Sequence, residues 1–173
     1  MMEFVLAGGC FWCLDSSYSQ FKGVIDVVCG YSGGHKANPT YEEVCSETTG
    51  HAEVAKIIFD ENVITPEIIL DLYFTVHDPR QLNRQGNDIG TSYRSAMFYQ
   101  GEEQKKMFED ALARAAKIWD GEIVTTLQPL DIFWEAEEYH QDYFSKNPSN
   151  AYCQAVVSSK MSKTRAAFTE YLK

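Results

Sequence analysis

A short apolar run, Glu3 to Ala7, stops at Gly8-Gly9, and the residues from Cys10 to Phe21 then carry Trp12, Leu14, Tyr18 and Phe21 at helical spacing. This pattern predicts a strand, a tight turn and a helix, with Cys10 at or near the first helical turn. Val24 to Cys29 predicts a second strand, closed by Gly30, Gly33 and Gly34. Strands interleaved with helices call for a sheet whose apolar face is covered by a helical layer.

Between Gly50 and Glu61 the chain alternates, so that Glu53, Ala55, Ile57 and Phe59 share one face and Val54, Lys56, Ile58 and Asp60 the other. The first face is the more apolar, and it places Glu53 among residues that favour burial. Thr65 as N-cap, Pro66 at the first helical position and Glu67 in the first turn predict a helix to about His77. Pro79 to Tyr93 is polar and loop-like, and Arg94 to Gln100 alternates as a strand does. Phe108, Ala111, Leu112, Ala115, Ile118 and Trp119 form the stripe of a helix over about Glu102 to Trp119, ended by Gly121. A strand over Glu122 to Leu127 and helices over about Glu135 to Lys146 and Ser162 to Leu172 complete the expectation. No internal repeat or Pro/Ser linker divides the 173 residues, which are expected to form a single α+β domain.

Fifteen Lys and Arg against 25 Asp and Glu give a net charge of −10, which argues against a nucleic-acid partner because clustered cations are missing. Neither a membrane span nor a signal peptide fits the sequence, so a cytoplasmic location is expected. In that compartment five cysteines, at positions 10, 13, 29, 45 and 153, read as thiols, and any disulfide as transient or catalytic.

Gly8-Gly9-Cys10-Phe11-Trp12-Cys13 carries the chemistry. A cysteine at a helix N-terminus meets free N–H groups and the positive end of the helix dipole, which favour thiolate. A CxxC pair also fits a redox dithiol or half of a zinc site. Zinc needs two further ligands, and Cys29, His35, Cys45 and His51 are scattered, so no metal is expected. Two bulky aromatics between the cysteines disfavour a thioredoxin-type docking surface. A hydrolase would pair Cys10 with His51 or His140 as base.

The sequence resembles the A-type peptide methionine sulfoxide reductases. The likeness runs through Gly9-Cys10-Phe11-Trp12, Gly30-Tyr31-Ser32-Gly33-Gly34, Pro39-Thr40-Tyr41, Val44-Cys45 and Gly50-His51-Ala52-Glu53. It continues with His77-Asp78-Pro79, Gln81 to Gly90, Tyr93-Arg94-Ser95, Tyr139-His140-Gln141, Lys146-Asn147-Pro148 and Tyr152-Cys153. The resemblance implies reduction of the S epimer of methionine sulfoxide, free or in proteins, without a cofactor. It also implies an α+β fold whose helix N-terminus presents the cysteine. The expected architecture is a mixed sheet packed with helices, a two-layer sandwich of ferredoxin-like type.

Cys10 is then the nucleophile, and its attack requires an acid to protonate the departing oxygen. Glu53 fits, since desolvation on its apolar face raises a carboxyl pKa. Tyr41 and Tyr93 match the family's two tyrosines and can hydrogen-bond the sulfoxide oxygen. Asp88 matches the family's loop aspartate and would orient the site or accept a hydrogen bond from substrate. Phe11 and Trp12 would form an apolar socket for the S-methyl group. The product is a Cys10 sulfenic acid, which a second thiol condenses to a disulfide. Cys153 is favoured for that role, on a segment from about residue 145 that is expected to be the more mobile part of the chain, with Cys13 the alternative. Cys29 and Cys45 read as structural, and the family implies thioredoxin or a similar dithiol as reductant.

Overall fold

The computed structural model describes Met1–Lys173. In chain order it contains β1 (Met2–Ala7), α1 (Phe11–Tyr18), β2 (Val24–Ser32), α2 (Tyr41–Cys45), β3 (Ala52–Phe59) and α3 (Pro66–Val76). There follow β4 (Arg84–Gln85), β5 (Asp88–Ile89), β6 (Ala96–Tyr99), α4 (Glu102–Ile118), β7 (Thr126–Pro129), β8 (Trp134–Glu135), α5 (Tyr143–Lys146) and α6 (Ser158–Ala167). Six strands form one sheet in the order β7-β6-β1-β3-β2-β8, and β4 with β5 forms a separate ribbon. β1 runs antiparallel to β3 and β6, and β2 antiparallel to β3 and β8, whereas β7 is parallel to β6. The result is a mixed sheet packed with helices, an α+β fold.

The alternation of β3 decides how the layers stack. Ala55, Ile57 and Phe59 enter a cluster of 21 buried residues shared with α1, α3 and α4, while Ala52 and Val54 face a smaller cluster with Val5, Ala7, Ala96 and Phe98. Phe4 meets both Phe59 and Phe108 edge-to-face at 5.0 Å, which joins the central strand to α4. Burying each such ring contributes about 1.5–3 kcal/mol. At the start of α3 the Thr65 hydroxyl accepts from the Ile68 N–H at 3.3 Å, and Pro66 occupies the position whose N–H would have no partner.

Three expected elements differ. The strand placed at Glu122 begins only at Thr126, because the Val124 N–H is drawn to the Pro79 carbonyl at 2.8 Å. The helix expected over Glu135 to Lys146 is replaced by β8, a 3-10 turn (Glu138–His140) and the short α5. Here Gln141 holds the chain against β2, accepting from the Cys29 N–H at 2.8 Å and donating to the Cys29 carbonyl at 3.0 Å. The last helix starts earlier, since a π-helical turn (Cys153–Val157) leads into α6, and it ends at Ala167 before a 3-10 turn (Thr169–Tyr171). The polar loop before β6 contains the β4–β5 ribbon and a 3-10 turn (Thr91–Tyr93). No helix is long and apolar enough to cross a membrane.

Candidate active site

The turn after the central strand delivers Cys10. Gly9 adopts φ +88°, and a Cβ there would lie 2.8 Å from the Gln85 side chain, so both conformation and space require glycine. Cys10 is the N-cap of α1 in extended conformation and makes no side-chain cap bond. Glu53, from β3, takes that place: its Oε1 accepts the Phe11 N–H at 3.1 Å. This bond favours the carboxylate, but Glu53 is only 1% exposed, and desolvation outweighs it. Its pKa is pushed up to about 8, with the Asp88 charge contributing, so the carboxyl holds its proton at neutral pH.

Cys10, Cys13, Cys153 and Val157 form one buried cluster, roofed by Trp12, Tyr143, Phe144, Tyr152, Val156 and Met161. All five cysteines are free thiols. Burial pushes the Cys10 thiol well above its ordinary value, helped by its hydrogen bond to Cys13 and by the Glu53 charge. The helix terminus, expected to favour thiolate, therefore does not prevail at Cys10. Cys13 is pushed down instead, first by the hydrogen bond from Cys10 against its own burial, then by the Lys160 charge and the Tyr152 hydroxyl. Cys29 is fully buried, its Sγ 3.7 Å from the Phe11 carbonyl and 3.8 Å from Asp15 Oδ2. Cys45 is exposed at the end of α2.

Tyr41 opens α2, and Tyr93 closes the 3-10 turn before β6. Both phenols are raised by desolvation and then by the Glu53 charge, which keeps them protonated. Asp88 accepts a 2.6 Å hydrogen bond from the Tyr152 hydroxyl, so its carboxylate is engaged by the chain's own C-terminal segment. Trp12 is partly exposed and stacks on Tyr143 at 3.8 Å and 4°. Phe11 has no exposed surface and packs between Tyr31, Tyr41 and His140, so contact with a ligand requires its neighbours to part.

Several residues at the site carry no signal in the sequence, because their partners are remote. Glu137 accepts from the Tyr31 hydroxyl and from the Tyr41 N–H, both at 2.8 Å. Asp15, 3% exposed and pushed up to about 6 by burial, accepts the Asp142 N–H at 2.8 Å and so anchors the chain just before Tyr143. Glu47 bonds the turn that carries Tyr93. The histidines are otherwise engaged. His51 bridges the Gly34 N–H and the Lys36 carbonyl. His140 Nδ1 accepts the Trp12 indole N–H at 3.1 Å, which puts its proton on Nε2. Neither is hydrogen-bonded to Cys10, the arrangement a hydrolase would need. No three His, Cys, Asp or Glu side chains converge as ligands for one ion.

Thiols gathered next to a carboxyl that keeps its proton make the site of a thiol-dependent oxidoreductase. Residues 2–172 match the family model described as peptide methionine sulfoxide reductase, and the chain belongs to that family. It is 54% identical over 173 residues to the peptide methionine sulfoxide reductase MsrA of Clavibacter michiganensis subsp. michiganensis, covering all of this chain and 99% of that one. Among solved structures, reduced Mxr1 of Saccharomyces cerevisiae superposes with a TM-score of 0.83 at 33% identity, over 88% of each chain. Methionine sulfoxide reductase A of Corynebacterium diphtheriae matches with a TM-score of 0.75 at 32% identity, over 84% of this chain and 74% of that one. The activity is thiol-dependent reduction of methionine (S)-sulfoxide to methionine.

Proposed function

We propose that Cys10 is the nucleophile of this reduction and Glu53 its acid. The observation that carries the assignment is the Glu53 carboxyl, buried, its pKa pushed up by that burial, and tied to the amide next to Cys10. Cys10 sulfur attacks the sulfoxide sulfur while Glu53 passes its proton to the oxygen, and the thiol proton replaces the one Glu53 gives up. The hydroxyl then passes from the substrate sulfur to Cys10 sulfur as the new S–S bond and the old S–O bond break, leaving a Cys10 sulfenic acid and methionine. Cys10 and Glu53 are both raised by burial, so the resting pocket favours their neutral forms, and this exchange moves protons without leaving a net charge in a low-dielectric site. Tyr41 and Tyr93 donate hydrogen bonds to the oxygen, Trp12 and Phe11 hold the methyl group, and Asp88 orients the substrate once Tyr152 releases it. Cys153 resolves the sulfenic acid, and its place in one cluster with Cys10 supports this; Cys13 remains the alternative, supported by its place in the same cluster and by its N–H, which bonds the Cys10 carbonyl at 3.1 Å.

The strand order β6-β1-β3-β2, with every neighbouring pair antiparallel, supports the ferredoxin-like two-layer reading. We read residues 1–173 as one catalytic domain, with the segment from about 145 as its more mobile part. A reducing cytoplasmic setting and a thioredoxin-type dithiol complete the cycle; Mxr1 has been solved in complex with Trx2, which states that pairing for the yeast protein. Neither a nucleic acid nor a membrane enters the reading. The test is incubation with dithiothreitol and a chiral methyl sulfoxide, following each epimer. The S epimer is expected to disappear and Cys10→Ser to abolish turnover; full turnover by that variant refutes the assignment.

A further inference from the structure

Glu47 occupies a position that glycine normally fills. Ser46 is the C-cap of α2, and Glu47, the residue after it, adopts φ +63° in the left-handed region. At such a position a side chain strains the backbone, and the conformation persists only where something else holds it. Here the carboxylate does so. Its Oε1 accepts from the Thr91 hydroxyl and the Ser92 N–H, both at 2.9 Å, and Oε2 accepts from the Ser92 hydroxyl at 2.6 Å. Gly90 leaves the room, since a Cβ there would lie 2.6 Å from the Glu47 carboxyl carbon. The bonds join two elements distant in sequence: α2, which begins with Tyr41, and the 3-10 turn, which ends with Tyr93.

We propose that Glu47 is a positioning residue that sets the gap between the Tyr41 and Tyr93 hydroxyls, and with it the grip of the site on the sulfoxide oxygen. The proposal rests on the assignment of the two tyrosines as oxygen-binding groups. It goes beyond that assignment in making a strained surface carboxylate responsible for their spacing. Glu47 itself touches no reacting atom. A hydrogen bond to an oxygen that gains charge in the transition state weakens steeply when its donor is displaced, so loosening the clamp lowers kcat more than it raises KM.

The test compares Glu47→Gly and Glu47→Gln with Tyr41→Phe and Tyr93→Phe, measuring kcat and KM on a chiral methyl sulfoxide together with Tm. Glu47→Gly removes both clamp and strain. It is expected to keep or raise Tm while kcat falls about tenfold and KM stays within about twofold. Glu47→Gln retains an acceptor for the Ser92 N–H and is expected to keep kcat within about threefold of the parent. An unchanged kcat in Glu47→Gly overturns the proposal, and so does a fall in kcat that merely follows a fall in Tm. If both tyrosine variants turn over at the parental rate, the tyrosine assignment fails and the clamp with it. If the tyrosine variants are impaired and Glu47→Gly is not, the clamp alone fails.

Discussion

Replacing Glu53 by glutamine should make the protein more stable and nearly inactive, and the size of the gain is set by pH. An ordinary glutamate titrates near 4.5, and the folded protein raises Glu53 to about 8 because the carboxylate would be stripped of water. Between those values the unfolded chain has released its proton and the folded chain still holds one. The raised group therefore favours folding below pH 4.5, and that contribution is lost as pH rises through 8. At about 1.4 kcal/mol per pH unit, the parent should lose about 4 kcal/mol of stability from this group between about pH 5 and pH 8.5. Glutamine matches the neutral acid in shape, can still accept the Phe11 N–H, and does not titrate. Urea unfolding in reducing buffer at the two pH values should thus give curves for Glu53→Gln that lie near the parent's in acid and well above it in base. Asp15, raised to about 6, and His77, lowered to about 3, also respond to pH, but equally in both proteins, so the difference reports Glu53 together with the thiol and phenols its charge raises. Turnover should fall by about 10²–10⁴ with the loss of the acid. Parallel stability curves, or a variant that keeps more than about a tenth of parental turnover, would refute the assignment of a buried, protonated acid.

Other consequences are open to direct measurement. Peptide mapping of protein oxidised by one equivalent of methyl sulfoxide without reductant should yield a Cys10–Cys153 bridge, and recovery of Cys10–Cys13 alone would transfer the resolving role to Cys13. Tyr152→Phe deletes the hydrogen bond to Asp88, and alkylation of Cys10, 8% exposed in the parent, should speed up about tenfold; an unchanged rate would show that this bond does not hold the roof closed. Phe108→Ala empties a fully buried site against Phe4 and should lower unfolding free energy by about 3–5 kcal/mol, read from urea denaturation.

Local rules were legible in the sequence wherever a residue's neighbours along the chain decide its conformation. Gly9 ahead of Cys10, Thr65-Pro66 and the alternation of β3 each announce their structure, and the last of these gives the burial of Glu53 from pattern alone. Where a distant partner decides, the sequence misleads. Glu135 to Lys146 contains good helix formers, yet Gln141 pairs with the backbone of Cys29, and no local pattern announces that bond. Glu47, Glu137 and Asp15 look like solvated charges and serve as anchors for remote backbone. The pKa of Cys10 was unreadable for the same reason, since it depends on the roof that the C-terminal segment builds over it.

The manner in which that roof is fastened bears on how such an enzyme can change over generations. Cys10 hangs from the joint after β1, the strand at the middle of the sheet, where almost any backbone shift disturbs the main core. The stretch from Asp142 to Tyr152, which leads to Cys153, meets the site through side-chain contacts: Asp15 to the Asp142 N–H, Trp12 on Tyr143, and Asp88 to Tyr152. The chain beyond it is bound to the body through the Lys22 N–H to the Tyr171 carbonyl and the Lys173 N–H to the Gln20 carbonyl. On the proposed roles, the oxygen-removing half of the cycle is built into the sheet and the recharging half is attached to it. Selection can therefore retune which dithiol regenerates the enzyme, and how fast, by rewriting the attached half while the chemistry at sulfur stays as it was.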